Sequence, residues 1–159
     1  MKSFTSIGKY LSDTLVGWFI KPNLIKELEG ISKEIEIGIG LLILVQISYE
    51  LCASCTSVIA QDENGIPYHV RTMDWMITML KDFTIEVEFQ SQGKTVYQAT
   101  TWAGYIGILT GMRPKCFSVS INFRELGESK WNNFWNLLTG SWSIGYLVRN
   151  TLENEISYQ

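Results

Sequence analysis

One group of residues has the types and the order needed for nucleophilic chemistry at a carbonyl carbon. Cys55 opens a segment rich in β-forming residues, and Arg71 and Asp74 follow it beyond a turn that contains Gly65. A chain reversal at this turn would bring both residues back alongside Cys55. Because a cysteine thiol is mostly protonated near neutral pH, Arg71 would stabilise the thiolate by its charge and Asp74 would orient a proton-accepting amine. The alternative is a surface ion pair between Arg71 and Asp74 beside a buried cysteine.

Two other chemistries of the cysteines are less favoured. Cys52 and Cys55 form a Cys-x-x-Cys pair, but a thioredoxin-like site needs this motif at the start of a helix within a βαβ unit. Here the pair ends a predicted helix and leads into a strand. A zinc site would have to recruit Cys116 and His69, since the sequence lacks a second Cys-x-x-Cys or a histidine pair. We therefore expect no metal and no cofactor, and we expect His69, the only histidine, to lie half-buried in a strand.

The elements that must position these residues follow from the period of the apolar side chains. A period of two predicts a hairpin with its turn over 62–65, and then further strands. The predicted strands are 56–61, 66–70, 83–90, 95–102, 105–109 and 117–121. Helical spacing predicts helices on both sides of this block, over 7–18, 24–35, 131–138 and 144–152. The apolar run 41–51 fits a helix or a buried strand, and we favour a helix because Gly40 precedes it and the polar residues 48–50 end it. Helices, then an antiparallel sheet, then helices predict the α+β class.

Composition narrows the classes of function. The chain has 159 residues, of which 46% are hydrophobic and 18% charged, which fits one domain or part of a larger one and excludes intrinsic disorder. The net charge of -3 argues against nucleic acid as a partner. Six Trp, seven Tyr and seven Phe are compatible with an apolar substrate. No apolar run approaches the roughly 20 residues of a transmembrane helix, and the N-terminus does not read as a signal peptide.

The residues around Cys55 are part of a wider pattern that covers most of the chain from about residue 37. Its blocks, in chain order, are CTSVIAQD over 55–62, Gly65, YHxRxMD over 68–74, AGYIGILTG over 103–111, FSVS over 117–120, Asn122, Arg124 and GYLVRNTLEN over 145–154. This pattern resembles the acid ceramidase and N-acylethanolamine acid amidase family. Several blocks with consistent spacing are more specific than one motif, so the resemblance favours a catalytic role for Cys55, Arg71 and Asp74 over a surface ion pair.

The resemblance implies an N-terminal nucleophile hydrolase with an αββα sandwich, of which this chain would contain only the N-terminal half. It implies self-cleavage between Ser54 and Cys55, which would separate a helical α-chain-like segment, 1–54, from 55–159, the N-terminal part of the catalytic β-chain. The freed amine of Cys55 would then be the general base for its own thiol, with Arg71 and Asp74 positioning and polarising it. The implied substrate is a lipid amide: ceramide, cleaved to fatty acid and sphingoid base through a Cys55 thioester.

Several points stay open at this stage. N-acylethanolamine is the alternative substrate, and a truncated, inactive fragment that binds lipid or a homologue is an alternative function. The resemblance implies a lysosomal location and a membrane surface or a saposin-type lipid-presenting protein as a partner. Val70 and Thr72 stand where the family usually has Gly and Asn.

Overall fold

The structure is a computed structural model that describes residues 22–52, 55–74, 78–122 and 143–157. Its elements in chain order are α1 Pro22–Glu34, α2 Ile39–Cys52, β1 Cys55–Gln61, β2 Pro67–Met73, a 3-10 helix Thr78–Phe83, β3 Thr84–Ser91, β4 Lys94–Trp102, β5 Thr110–Arg113, β6 Phe117–Ser120 and α3 Ile144–Asn154. The predicted α+β class is confirmed. The helices predicted over 7–18 and 131–138 lie outside the described residues, as does Ser54. Within the described ranges, no helix combines the length and the apolar character needed to cross a membrane.

The chain divides into two compact units. The first unit comprises 1–51, 104–106 and 128–143, and the second comprises 52–103, 107–127 and 144–159. The first therefore contains α1 and nearly all of α2. The second contains every strand named above and α3, and Cys55, Arg71 and Asp74 all belong to it.

The predicted hairpin is confirmed as β1 and β2, which pair antiparallel in a two-stranded sheet. The turn between them is built by Asp62, whose carboxylate accepts hydrogen bonds from the backbone N–H groups of Asn64 (2.9 Å) and Ile66 (2.8 Å). Gly65 has a φ of 82°, a left-handed conformation that glycine adopts without steric cost. The register that results places Cys55 opposite Met73.

The second sheet has four antiparallel strands in the order β3-β4-β5-β6, and α3 packs against it. Their shared core consists of Tyr97, Ala99, Ile108, Val148 and Leu152. The alternation predicted over 83–90 is confirmed in part: Val87 and Phe89 pack against the core, whereas Phe83 and Ile85 are exposed. Phe89 stacks on Tyr97 of β4, with ring centroids 4.3 Å apart. The buried Arg149 of α3 lies over the Phe89 ring, 4.9 Å from its centroid.

The strand predicted over 105–109 is wrong, because these residues form a loop and β5 begins only at Thr110. The apolar side chains of this segment do not alternate between two faces: Tyr105, Ile106, Ile108 and Leu109 are all buried. Its backbone groups do not bond to the backbone of a neighbouring strand in a β-ladder. The Ile106 N–H donates to the Gln46 side chain, the Ile108 N–H donates to the Gly145 carbonyl, and the Gly107 carbonyl accepts from Thr101.

The predicted helical stripes are confirmed in part. Leu24 and Leu28 of α1 are buried as predicted, but Ile35 lies beyond the helix and is exposed. In α3 the buried residues include Val148 and Leu152, whereas Leu147 is exposed and Tyr146 is buried instead.

Candidate active site

The hairpin carries the candidate residues because of its register. Residues directly opposite each other in an antiparallel pair place their side chains on the same face. Ser57 is paired with Arg71, and Ile59 is paired with His69. The face shared by Cys55, Ser57, His69 and Arg71 is partly buried, whereas the alternate residues on the other face are exposed.

Arg71 and Cys55 are in direct contact. The Arg71 Nη2 group donates a hydrogen bond to Cys55 Sγ over 2.8 Å, and both side chains are partly buried. The contact places the fixed charge of a guanidinium directly against the sulfur predicted to be the nucleophile. The chain reversal predicted from Gly65 therefore brings Arg71 to Cys55.

Arg71 is held on its other side by the second sheet. Its Nε donates to the carbonyl oxygen of Ile121, just beyond β6, over 3.0 Å. Ile121 is itself fixed, because its N–H donates to the Leu109 carbonyl and its side chain packs against the core. The guanidinium thus connects the sulfur of Cys55 to the framework of the four-stranded sheet.

Asp74 does not join this contact. It follows Met73 at the end of β2 and is exposed. Among the residues that the structure describes, it has no hydrogen-bond or ion-pair partner. Arg71 and Asp74 therefore do not form the surface ion pair that was the alternative prediction.

His69 is half-buried in β2, as expected from the sequence. Its Nδ1 lies 2.9 Å from Ser118 Oγ and its Nε2 lies 3.0 Å from Ser120 Oγ, so both ring nitrogens have partners on β6. The Ser120 hydroxyl also lies 2.7 Å from Ser57 Oγ, on β1. These residues form a polar chain between the two sheets, which we call the His69–Ser57 chain (His69, Ser118, Ser120 and Ser57).

Asn122 ends this chain. Its amide satisfies both of its ends when the nitrogen donates to Ser57 Oγ (3.0 Å) and to the Ile121 carbonyl (3.2 Å), and the oxygen accepts from the Ser57 N–H (3.3 Å). In the opposite orientation the amide oxygen would accept from the Ser57 hydroxyl over 3.0 Å, but it would also face the Ile121 carbonyl oxygen, and the amide nitrogen would face the Ser57 N–H. We therefore take Asn122 as the donor to Ser57.

A cleft of about 730 Å³ opens between the hairpin and the four-stranded sheet. Its lining on the hairpin comes from the turn end, including Ile59, Tyr68 and His69. Cys55 lies at the other end of the hairpin, opposite Met73. The described part of the cleft therefore lies on the far side of His69 from the thiol.

No group of three or more His, Cys, Asp or Glu side chains in the described ranges is arranged to hold a metal ion. Both Cys55 and Cys116 are free thiols. The chain leaves a helix at Cys52 and enters a strand at Cys55, an order that a thioredoxin-like site does not have.

Comparison with known proteins identifies the family. Residues 55–143 match the family described as linear amide C–N hydrolases, choloylglycine hydrolase family. The chain belongs to this family. The match begins at Cys55, the residue whose sulfur receives the Arg71 hydrogen bond.

Curated members of the linear amide C–N hydrolases confirm the resemblance predicted from the sequence. Acid ceramidase of Heterocephalus glaber is 39% identical over 91% of this chain and 41% of its own length. Acid ceramidase of Homo sapiens is 36% identical over 84% of this chain and 38% of its own length. This chain thus spans about two fifths of the length of these relatives.

A solved structure of the same kind supports the fold. The Caenorhabditis elegans ortholog of N-acylethanolamine-hydrolyzing acid amidase matches with a TM-score of 0.56 and 34% sequence identity. The match covers 67% of this chain and 45% of the other. The predicted N-terminal nucleophile hydrolase fold is therefore confirmed, and this chain contains part of it.

Ser57, Ser118, Ser120 and Asn122 lie within the blocks of the family pattern, but no role beside the Cys55–Arg71 pair was predicted for them from the sequence. Ser118 and Ser120 carried a usable signal, since alternate residues of a strand share a face. Ser57 shares a face with Cys55 for the same reason. Nothing in the sequence indicated that the two strands meet, nor that a backbone carbonyl would hold Arg71.

Proposed function

We propose that this member of the linear amide C–N hydrolases cleaves the N-acyl amide bond of ceramide, with Cys55 as nucleophile. The observation that carries the proposal is the 2.8 Å hydrogen bond from Arg71 to Cys55 Sγ, at the residue where the family match begins. The names of the curated relatives support ceramide as the substrate.

Activation of the thiol begins with a self-cleavage between Ser54 and Cys55. This step would separate segment 1–54 from segment 55–159 and would free the α-amine of Cys55. A free α-amine titrates near neutral pH, so it would take the thiol proton as general base. Arg71 would then stabilise the thiolate by charge.

The reaction itself is an acyl transfer in two steps. The sulfur of Cys55 attacks the amide carbon, and hydrogen-bond donors stabilise the oxyanion of the tetrahedral intermediate. The C–N bond breaks, and the proton held by the α-amine passes to the leaving sphingoid base. Water then adds to the Cys55 thioester, releases the fatty acid and returns the proton to the sulfur.

Asp74 is assigned a positioning role in the same proposal. It lies next to Met73, which is paired with Cys55 across the hairpin. From this position a carboxylate would orient the α-amine of Cys55 by accepting a hydrogen bond from it. The contact would form only after cleavage has freed the amine.

N-acylethanolamine is the second candidate substrate. It is favoured by the Caenorhabditis elegans structure, whose name describes N-acylethanolamine hydrolysis. Both substrates present a long acyl chain on a secondary amide, so the proposed chemistry at Cys55 is the same. A lysosomal location, and lipid presented by a membrane surface or a saposin-type protein, belong to this proposal.

The mass of the intact chain tests the proposed nucleophile. The purified chain is incubated at acidic pH and compared with Cys55→Ala and with Cys116→Ala, which removes the exposed thiol instead. We expect fragments 1–54 and 55–159 from the parent and from Cys116→Ala, but not from Cys55→Ala. With ceramide added, an acyl adduct should appear on the fragment that starts at Cys55.

Substrate choice is tested by turnover of ceramide and N-acylethanolamine with the same acyl chain. Faster release of fatty acid from ceramide supports the ceramidase proposal, and the reverse supports the second candidate. A chain that neither cleaves itself nor forms an adduct with either lipid would contradict the hydrolase and would favour the inactive lipid-binding fragment.

A further inference from the structure

The His69–Ser57 chain joins the two sheets beside the candidate active site. His69 lies two residues from Arg71 on β2, and Ser57 lies two residues from Cys55 on β1, so all four side chains share a face. Both of the residues that meet them, Ser118 and Ser120, belong to β6. The contacts that fix β6 on this face are therefore polar and directional.

The position of β6 matters because of the residue that follows it. The carbonyl oxygen of Ile121 accepts from Arg71 Nε at 3.0 Å, and Arg71 Nη2 reaches Cys55 Sγ at 2.8 Å. Ile121 is adjacent to Ser120, which contacts His69. Because β6 and Ile121 are held by the four-stranded sheet, loss of the His69 contacts would let β2 shift against β6, and this shift would change the direction of the guanidinium.

The hydrogen bonds of the chain run in one direction. Asn122 Nδ2 donates to Ser57 Oγ over 3.0 Å, and two acceptors then compete for the Ser57 hydroxyl hydrogen: Asn122 Oδ1 at 3.2 Å and Ser120 Oγ at 2.7 Å. We take the shorter contact, so that the Ser57 hydroxyl donates to Ser120 Oγ. The Ser120 hydrogen then points at His69 Nε2, which must accept with its lone pair. In a neutral imidazole the other nitrogen carries the proton, so Nδ1–H donates to Ser118.

We propose that His69 is a positioning residue for the Cys55–Arg71 pair. In its Nδ1–H form it holds β2 against Ser118 and Ser120 of β6, and thereby holds Arg71 against the Ile121 carbonyl that aims it at the sulfur. The role rests on the proposed function, in which Cys55 is the nucleophile. It differs from a general base, because His69 acts through β6 and Arg71 and exchanges no proton with the substrate.

The tautomer is tested by ¹⁵N NMR of the imidazole at mildly alkaline pH. His69 is the only histidine in the sequence, so its two ring nitrogens give the only imidazole signals of the protein. We expect the proton on Nδ1 in the parent and a loss of this preference in Ser57→Ala. Thr56→Ala, on the opposite face of β1, is the matched control and should keep it. A proton on Nε2 in the parent would overturn the assigned chain.

Positioning is tested by the alkylation rate of Cys55 with iodoacetamide, followed by peptide mass analysis. Cys116 is an exposed free thiol in the same molecule and serves as the internal reference. Loss of hydrogen bonds of this kind should slow alkylation of Cys55 in His69→Ala by about three- to tenfold, with Cys116 unchanged. His69→Gln has both a donor and an acceptor and should restore most of the rate. Val70→Ala, on the exposed face of β2, should match the parent.

The outcomes separate this inference from the proposed function. Alkylation needs no amide substrate, so it reports on Cys55 even in a chain without hydrolase activity. A parent that forms the acyl adduct while His69→Ala is alkylated at the parental rate would overturn the positioning role and leave the nucleophile intact. Equal slowing of Cys55 and Cys116 would also overturn it, because it would show a general change of structure.

Discussion

Gly111 of β5 and Leu152 of α3 lie so close that a β-carbon at position 111 would stand 2.5 Å from Leu152 Cδ1. The same β-carbon would lie 3.1 Å from the carbonyl oxygen of Gln98. Leu152 has no exposed surface and belongs to the core of the second unit. The absence of a side chain at position 111 is thus what allows α3 to approach the sheet.

Gly111→Ala should therefore destabilise the protein. Overpacking in a closed core costs about 1–3 kcal/mol, because the neighbouring side chain has to leave its preferred rotamer. The free energy of unfolding from urea titration measures the effect. Gly30→Ala in α1, where a β-carbon meets nothing within 4 Å, is the matched control and should leave stability unchanged or raise it. Equal stability of Gly111→Ala and the parent would show that Leu152 can move.

Arg71 should control the reactivity of Cys55. Arg71→Met removes the charge and the hydrogen bonds to Cys55 and Ile121, and a charged hydrogen bond of this kind corresponds to about a 10- to 100-fold effect on rate. Arg71→Lys keeps the charge but cannot bond Cys55 and the Ile121 carbonyl with one planar group, so its rate should fall between the two. The readout is the rate of acyl-adduct formation by mass spectrometry. An unchanged rate in Arg71→Met would contradict the role assigned to this contact.

The carboxylate of Asp62, in the turn between β1 and β2, should stay ionised at a lower pH than an ordinary aspartate. The N–H of Ile66 holds the pKa of Asp62 below its ordinary value of 3.8; burial opposes this with a smaller rise, and bonds from Asn64 and Tyr68 lower the pKa further. A lowered folded-state pKa stabilises the folded form above the ordinary value, and this stabilisation is lost as pH falls through the folded pKa. The amide proton shift of Ile66, followed against pH, should titrate below 3.8. Asp62→Asn should abolish this titration, and a midpoint at or above 3.8 in the parent would contradict the prediction.

Gln46 should stabilise the first unit through its buried amide. Its Nε2 donates to the carbonyl oxygens of Gly104 (2.7 Å) and Leu42 (2.9 Å), and its Oε1 accepts from the Ile106 N–H (2.9 Å). Gln46→Leu leaves the two loop groups without this partner, at a cost of about 1–3 kcal/mol for each group that stays unsatisfied.

Hydrogen exchange measures this effect at the residue concerned. The Ile106 amide should exchange faster in Gln46→Leu, and the free energy of unfolding should fall. Leu44→Ala changes an exposed residue of the same helix and should alter neither quantity much. Unchanged protection of Ile106 in Gln46→Leu would mean that the loop is held by other contacts.

Local patterns predicted much of the second unit. The turn residues 62–65 and the alternation on both sides were sufficient for β1 and β2, and the alternation over 83–90 was sufficient for β3. The approach of Arg71 to Cys55 followed from the hairpin alone, because both residues lie within one reversal of the chain. The pairing of β1 with β2 ends at Met73, so it does not determine the position of Asp74, one residue further on.

The remainder depended on contacts that are distant in sequence. Residues 105–109 are apolar enough for a strand, but their backbone groups bond to Gln46, Thr101 and Gly145. The partners of His69 lie 49 and 51 residues away, on a strand of another sheet. Such pairings depend on how two sheets pack, and a period of two reports only which face a side chain is on.

The bond from Arg71 to Ile121 has a consequence for how the protein tolerates sequence change. A backbone carbonyl is present whatever amino acid occupies position 121, so the acceptor survives every replacement that leaves the backbone in place. The amino acid at position 121 is constrained by the core against which its side chain packs. Replacement of Ile121 by another apolar residue would therefore resemble any conservative substitution in a core, although the backbone of the same residue holds the guanidinium that contacts the thiol.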